Sequence, residues 1–103
     1  MITTMNKKIP LSVVVITKNE ASRLTDCLKS VEWAEEIIVL DDFSTDNTVE
    51  IAKGFTSRVY QRLMDAEGKH RNYAYGLASH GWVLSLDADE RVTPELRDEI
   101  EAL

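Results

Sequence analysis

The chain has 103 residues, 44% apolar and 29% charged, with a formal charge of −6. That length and apolar content suit one soluble domain with a core of its own. The acidic balance argues against nucleic acid as the main partner, because a phosphate backbone demands a basic footprint.

A short polar opening leads into the apolar run Ile9–Thr17. The run is too brief to span a bilayer and has no small-residue cleavage pattern, so the chain reads as cytosolic. Within it, Leu11–Thr17 is apolar and β-branched, the mark of a strand covered on both faces. Asn19 is placed to cap a helix running to Val31, with Leu24, Cys27, Leu28 and Val31 on its inner face. Cys27 therefore reads as a small core residue. As the only cysteine, it also excludes an intrachain disulfide and a multi-cysteine metal site.

Glu36–Asp41 is a second strand. Ser44, Thr45 and Asp46 offer caps for a helix whose inner face is Val49, Ala52 and Phe55, with Gly54 near its end. Arg58–Tyr60 is a short third strand. A basic loop, Gly68–Asn72, leads to a helix marked by Ala74, Leu77 and Ala78 and stopped near Gly81. Trp82–Asp87 is a fourth strand. Thr93, Pro94 and Glu95 start a final helix with a capping hydroxyl, a proline and an acid in the first turn. Leu96, Ile100 and Leu103 form its apolar stripe.

Strands alternating with helices predict an α/β fold: a mostly parallel sheet with helices on both faces. Ligands of such sheets lie at the carboxyl ends of the strands, near the switch in strand order. Polar residues gather at those ends: Thr17–Glu20, Asp41 and Asp42, and Asp87–Asp89. In an extended segment Asp87 and Asp89 point the same way, roughly 6–7 Å apart at their backbones. One could hold a ligand hydroxyl and the other a divalent cation. Asp41 or Asp42 is free to accept from a nucleobase or ribose, and the residues leave open which. Arg71 is the cation best placed for a diphosphate in this acidic setting, while His70 and His80 read as surface residues. No Walker loop, G-x-G-x-x-G, H-E-x-x-H or G-x-S-x-G is present.

Taken together, Ser12–Glu20, Val39–Thr48, Arg71–Ala74 and Leu86–Asp89 resemble, in order and spacing, the N-terminal half of family 2 glycosyltransferases. Lys18-Asn19-Glu20 and Asp87–Val92 are most similar to the bacterial branch that extends lipopolysaccharide core oligosaccharide. The resemblance implies a Rossmann-like GT-A donor-binding region over 11–103, after an N-terminal extension at 1–10. It implies that Thr17, Asn19 and Glu20 lie along the nucleoside and that Asp41 or Asp42 contacts the base. Arg71 would approach the base or diphosphate, and Asp87 would hold the ribose or share the metal. Asp89 would coordinate Mg²⁺ or Mn²⁺ bridging the diphosphate of a nucleotide-sugar donor, a UDP-sugar in the expected case.

Two departures stand out. Phe43 occupies a position where the family usually has glycine. No residue here matches the family's second half, which carries the saccharide or lipid-linked acceptor site and, in inverting members, the catalytic base. The catalytic residues are therefore unassigned, and the expectation is donor binding without efficient transfer, in envelope polysaccharide or lipopolysaccharide synthesis. Association with a membrane surface is not encoded in these residues. The rival expectation is a non-catalytic α/β nucleotide-binding or receiver-like module. A receiver, however, wants a phosphoacceptor acid after its third strand and a lysine after a fifth.

Overall fold

The computed structural model describes residues 8–103, so most of the expected N-terminal extension lies outside the described residues. The elements alternate as expected: β1 (Ile9–Thr17), α1 (Ala21–Lys29), β2 (Ala34–Asp41), α2 (Thr48–Lys53), β3 (Val59–Gln61), α3 (Glu67–Gly76), β4 (Val83–Asp87) and α4 (Pro94–Glu101). The strands form one sheet in the order β3-β2-β1-β4, and each pairing is parallel. The order reverses at β1, so the switch point lies between β1 and β4.

The period-two alternation of the strands divides the core. Val13, Val15, Val39 and Leu86 pack with Leu24, Cys27, Leu28 and Ala52 of α1 and α2, and Ile100 of α4 joins from the rim. Val14, Ile38 and Leu40 meet Ala74 of α3, with Ile16, Tyr60, Leu77 and Ala78 around them. Helices therefore cover both faces. The central strand β1 has Val13, Val14 and Val15 fully buried, which is why its run is apolar without alternation.

Several local expectations change. Asn19 does not cap α1; Glu20 stands at that position, and Asn19 adopts φ 52° in the turn before it. The helix ends at Lys29 rather than at Val31. Asn47, rather than Ser44, Thr45 or Asp46, stands at the N-cap position of α2, and the Asp46 side chain accepts the N–H of the first helical residue, Thr48, at 3.0 Å. The basic stretch is not a loop, because α3 already begins at Glu67 and ends at Gly76, short of Gly81. Thr93 caps α4 as expected, accepting the Leu96 N–H at 3.1 Å, with Pro94 at the first position. Of the α4 stripe only Ile100 packs on the core, while Leu96 and Leu103 are exposed.

Candidate functional site

A cleft of about 280 Å³ opens at the carboxyl ends of β1, β2 and β4. Ile16, Thr17, Lys18, Glu20, Asp42, Met64, His70, Asp87, Ala88 and Asp89 line it. Five of the residues expected to touch a ligand are thus in one cavity: Thr17, Glu20, Asp42, Asp87 and Asp89. Asn19, Asp41 and Arg71 are not among the lining residues; each organises a neighbour instead.

Asp41 and Asp42 separate cleanly. Asp41 is fully buried, and its carboxylate accepts from the Ser44 N–H at 2.8 Å, Ser44 Oγ at 2.5 Å and Gln61 Nε2 at 3.3 Å. With those partners it shapes the turn after β2 and has little left for a ligand. Asp42 accepts the Met64 N–H at 3.1 Å and pairs with Lys18 Nζ at 3.6 Å, yet it still lines the cleft. Asp42 is therefore the acid of the pair that a ligand can reach.

The loops after β1 and β2 are stitched together by side chains. Asn19 Oδ1 accepts the Thr45 N–H at 2.7 Å, and the Asn19 N–H donates to Ser44 Oγ at 2.7 Å. Asp46 accepts from Thr48 N–H, Thr48 Oγ1 and Ala21 N–H, and Thr48 Oγ1 accepts the Glu20 N–H at 3.0 Å. The Ser44–Thr48 segment thus holds Asn19, Glu20 and Ala21, the chain that leads from β1 into α1. Phe43 takes φ 48°, the left-handed conformation that favours glycine, and its ring is exposed.

At the end of β4 the chain turns at once. Ala88 and Asp89 are in a turn closed by the Glu90 N–H on the Asp87 carbonyl at 2.9 Å, so the extended Asp87–Asp89 geometry does not occur. The Asp87 N–H donates to Glu90 Oε1 at 2.7 Å. Both aspartates stay exposed and line the cleft. Ser85 and Asp87 alternate onto the α3 side of the sheet, where Arg71 reaches both. Its guanidinium donates to Ser85 Oγ at 2.6 Å and to Asp87 Oδ1 at 3.0 Å, and also to Glu67 at 3.3 Å. Arg71 therefore aims a carboxylate rather than contacting the cleft itself.

His70 overturns the surface expectation. It is only 1% exposed and lies at the cleft wall. Its Nδ1 is 3.1 Å from an Arg62 guanidinium nitrogen, and its Nε2 has no hydrogen-bond partner among the described residues. Burial, with the Arg62 charge beside it, lowers its pKa. The signal was present in the sequence: the stripe Ala74–Ala78, extended one turn back, falls on His70. Thr17 Oγ1 is likewise buried without a partner. Cys27 behaves as expected of a core thiol. Burial, reinforced by Glu90, Asp89 and Asp87, pushes it up to about 11.

Four acids line the cleft, Glu20, Asp42, Asp87 and Asp89, against one lysine, Lys18; outside the lining, Arg23 pairs with Glu20 at 3.7 Å and Asp89 at 3.8 Å, and Arg71 with Asp87 at 3.0 Å. An anionic ligand needs added positive charge there, whereas hydroxyl and N–H groups are welcome.

A parallel α/β sheet with acids gathered at the carboxyl ends of its strands is a Rossmann-like architecture. The family model for glycosyl transferase family 2 matches residues 12–102, and the chain belongs to that family. Membership sets aside the receiver-like alternative. An uncharacterized glycosyltransferase of Rickettsia prowazekii is 39% identical over 92 residues, covering 88% of this chain and 32% of the relative. The lipopolysaccharide core biosynthesis glycosyltransferase LpsC of Rhizobium meliloti is 31% identical over 100 residues, covering 91% and 37%. Among solved structures, residues 1–349 of S. aureus TarS superpose with a TM-score of 0.76 at 29% identity, covering 91% of this chain and 32% of that one. The same TarS segment in complex with UDP gives a TM-score of 0.73 at 27% identity, covering 91% and 31%. The chain thus spans about a third of the length of these relatives. No helix among the described residues is long and apolar enough to cross a membrane.

Proposed function

We propose that this chain is the donor-binding part of a glycosyltransferase, holding a nucleoside-diphosphate sugar in the cleft between the ends of β1 and β4. The observation that carries the proposal is the convergence of Thr17, Glu20, Asp42, Asp87 and Asp89 from three strand ends on one cavity. The UDP-bound state of the similar TarS supports a UDP-sugar as donor. The likeness to LpsC, a lipopolysaccharide core biosynthesis glycosyltransferase, supports a saccharide acceptor in cell-envelope synthesis.

Asp87 and Asp89 fit a hard divalent cation. Their donors are carboxylate oxygens, and Mg²⁺ commonly takes one or two such groups together with substrate phosphates. Bound Mg²⁺ or Mn²⁺ supplies the charge that stabilises the departing nucleoside diphosphate. The chain's own contribution is positional. Arg71 orients Asp87, Asp42 accepts from the base or ribose, and Thr17 offers a hydroxyl beside them.

Calorimetric titration with UDP, with and without Mn²⁺, tests the proposal. Metal-dependent binding that weakens at least about tenfold in Asp89→Ala supports it, the scale of one lost charged contact. Binding that ignores both the metal and Asp89 would sink the cation bridge.

A further inference from the structure

Thr17 and His70 both line the cleft, and each carries a buried side-chain atom with no partner among the described residues, Oγ1 and Nε2. Native interiors rarely leave such groups unpaired, and each needs an explanation. The protonation pattern of His70 follows from its neighbour. Arginine only donates, so the Arg62 contact at 3.1 Å requires Nδ1 to accept. In the neutral ring the proton then sits on Nε2. His70 therefore carries a buried N–H donor in the cleft wall, and that donor is uncharged.

We infer that His70 reads the base of the donor nucleotide, its Nε2–H donating to a carbonyl oxygen while the Asp42 carboxylate accepts from the adjacent ring N–H. This rests on the donor-site proposal and assigns a specificity residue within it. Three observations favour a base over a phosphate as the partner. The charged groups facing His70 are Arg62, Asp42, Asp65 and Arg71; the first three follow the ends of β2 and β3, while the Arg71 guanidinium is held by Asp87 at the end of β4. A neutral N–H suits a neutral acceptor, and phosphate oxygens find four carboxylates in this cleft. Met64, held by its N–H to Asp42, adds an apolar surface beside the pair against which a ring can lie. A donor and an acceptor in one wall match an adjacent C=O and N–H, as on the imide edge of uracil and the O6/N1–H edge of the larger guanine. Cytosine and adenine, whose ring nitrogen accepts and whose exocyclic amine donates, present the opposite pattern.

The test uses the intact chain with Mn²⁺ and the probes UDP, CDP and ADP. The expected result is a UDP preference that falls about five- to tenfold in His70→Phe, the scale of one neutral hydrogen bond, and is largely restored in His70→Gln. Long-range ¹⁵N–¹H spectra of the unmodified chain provide a readout that does not depend on a variant folding. They should show the Nε2–H tautomer in the free chain and a shift of that signal on adding UDP but not CDP. UDP binding with unchanged His70 signals, or with the same preference in a folded His70→Phe variant, overturns the inference and leaves the donor site standing. Failure of the unmodified chain to bind UDP overturns both.

Discussion

Arg71 Nη2 donates to Asp87 Oδ1 at 3.0 Å and Nη1 to Ser85 Oγ at 2.6 Å, so one guanidinium bridges two alternate residues of β4. The arginine expected to approach the base or diphosphate is bonded to a carboxylate that lines the cleft. Removing it should loosen Asp87 more than it loosens the fold, because the pair is partly solvated and such pairs contribute about 1 kcal/mol or less. In Arg71→Met, Mn²⁺-dependent UDP affinity should fall about tenfold by calorimetry, with a stability loss of roughly 1 kcal/mol by urea denaturation. Arg71→Lys keeps the charge but not the fork, and should recover only part of the affinity. Unchanged affinity in both variants would make Arg71 a scaffold residue.

Asn19 holds the loop after β1 to the loop after β2 from a left-handed backbone conformation, φ 52°. Asn19→Ala loses the bond to Thr45 and, with it, the short polar side chain by which asparagine tolerates the left-handed region. It should cost about 2 kcal/mol in a denaturant titration. Asn19→Gly loses the same hydrogen bond but tolerates the conformation, so it should cost about half as much. Equal losses in the two variants would remove the backbone from the explanation.

Phe43 takes φ 48° with its ring 52% exposed, so its conformation is costly and its packing gives little back. Phe43→Gly should therefore stabilise the chain by about 0.5–1 kcal/mol. For a domain of this size that corresponds to a rise in Tm of a few degrees. A fall in Tm would show that the exposed ring makes contacts worth more than the strain.

Glu36 gives the fold an acid-sensitive clasp at the opposite end of the sheet. Burial by itself would raise its pKa. Hydrogen bonds from Ser12 Oγ at 2.7 Å, the Ser79 N–H at 2.8 Å, Arg58 at 2.5 Å and Ser79 Oγ at 2.9 Å outweigh burial and lower it to about 2. A depressed carboxyl stabilises the folded state above its unfolded value of 4.5, and that contribution is lost as pH falls toward about 2. Glu36→Gln should cost roughly 2 kcal/mol at pH 7, and its deficit should shrink progressively between pH 4.5 and pH 2. A deficit that stays constant with pH would assign the effect to shape rather than charge.

Most of the framework was legible along the chain. Leu11–Thr17 and Ile37–Leu40 are buried on both faces, and such strands are apolar without interruption, so their ends and the acids beyond them stand out. The same holds for Thr93-Pro94-Glu95, where capping and proline chemistry act within four residues of each other. Phe43 at a glycine-favouring turn was signalled only by the resemblance, since the family usually has glycine there; its φ of 48° comes from the structure.

What escaped the sequence depends on contacts between elements distant along the chain. Asp41 and Asp42 are chemically identical neighbours. Only the approach of Ser44 and Gln61 to one, and of Lys18 and Met64 to the other, decides which faces the ligand. The rotation of α3 about its axis is likewise set by how Ala74 seats on Val14, Ile38 and Leu40, since the helix has only a weak apolar stripe of its own. That rotation turns Arg71 toward Ser85 and Asp87 and drives His70 into the cleft wall. The sequence by itself determined four strands and the acids at their carboxyl ends, because burial and turn chemistry act residue by residue. The tertiary structure alone decided which of those acids, and which histidine, the cleft presents, because side-chain direction is settled by packing across the sheet.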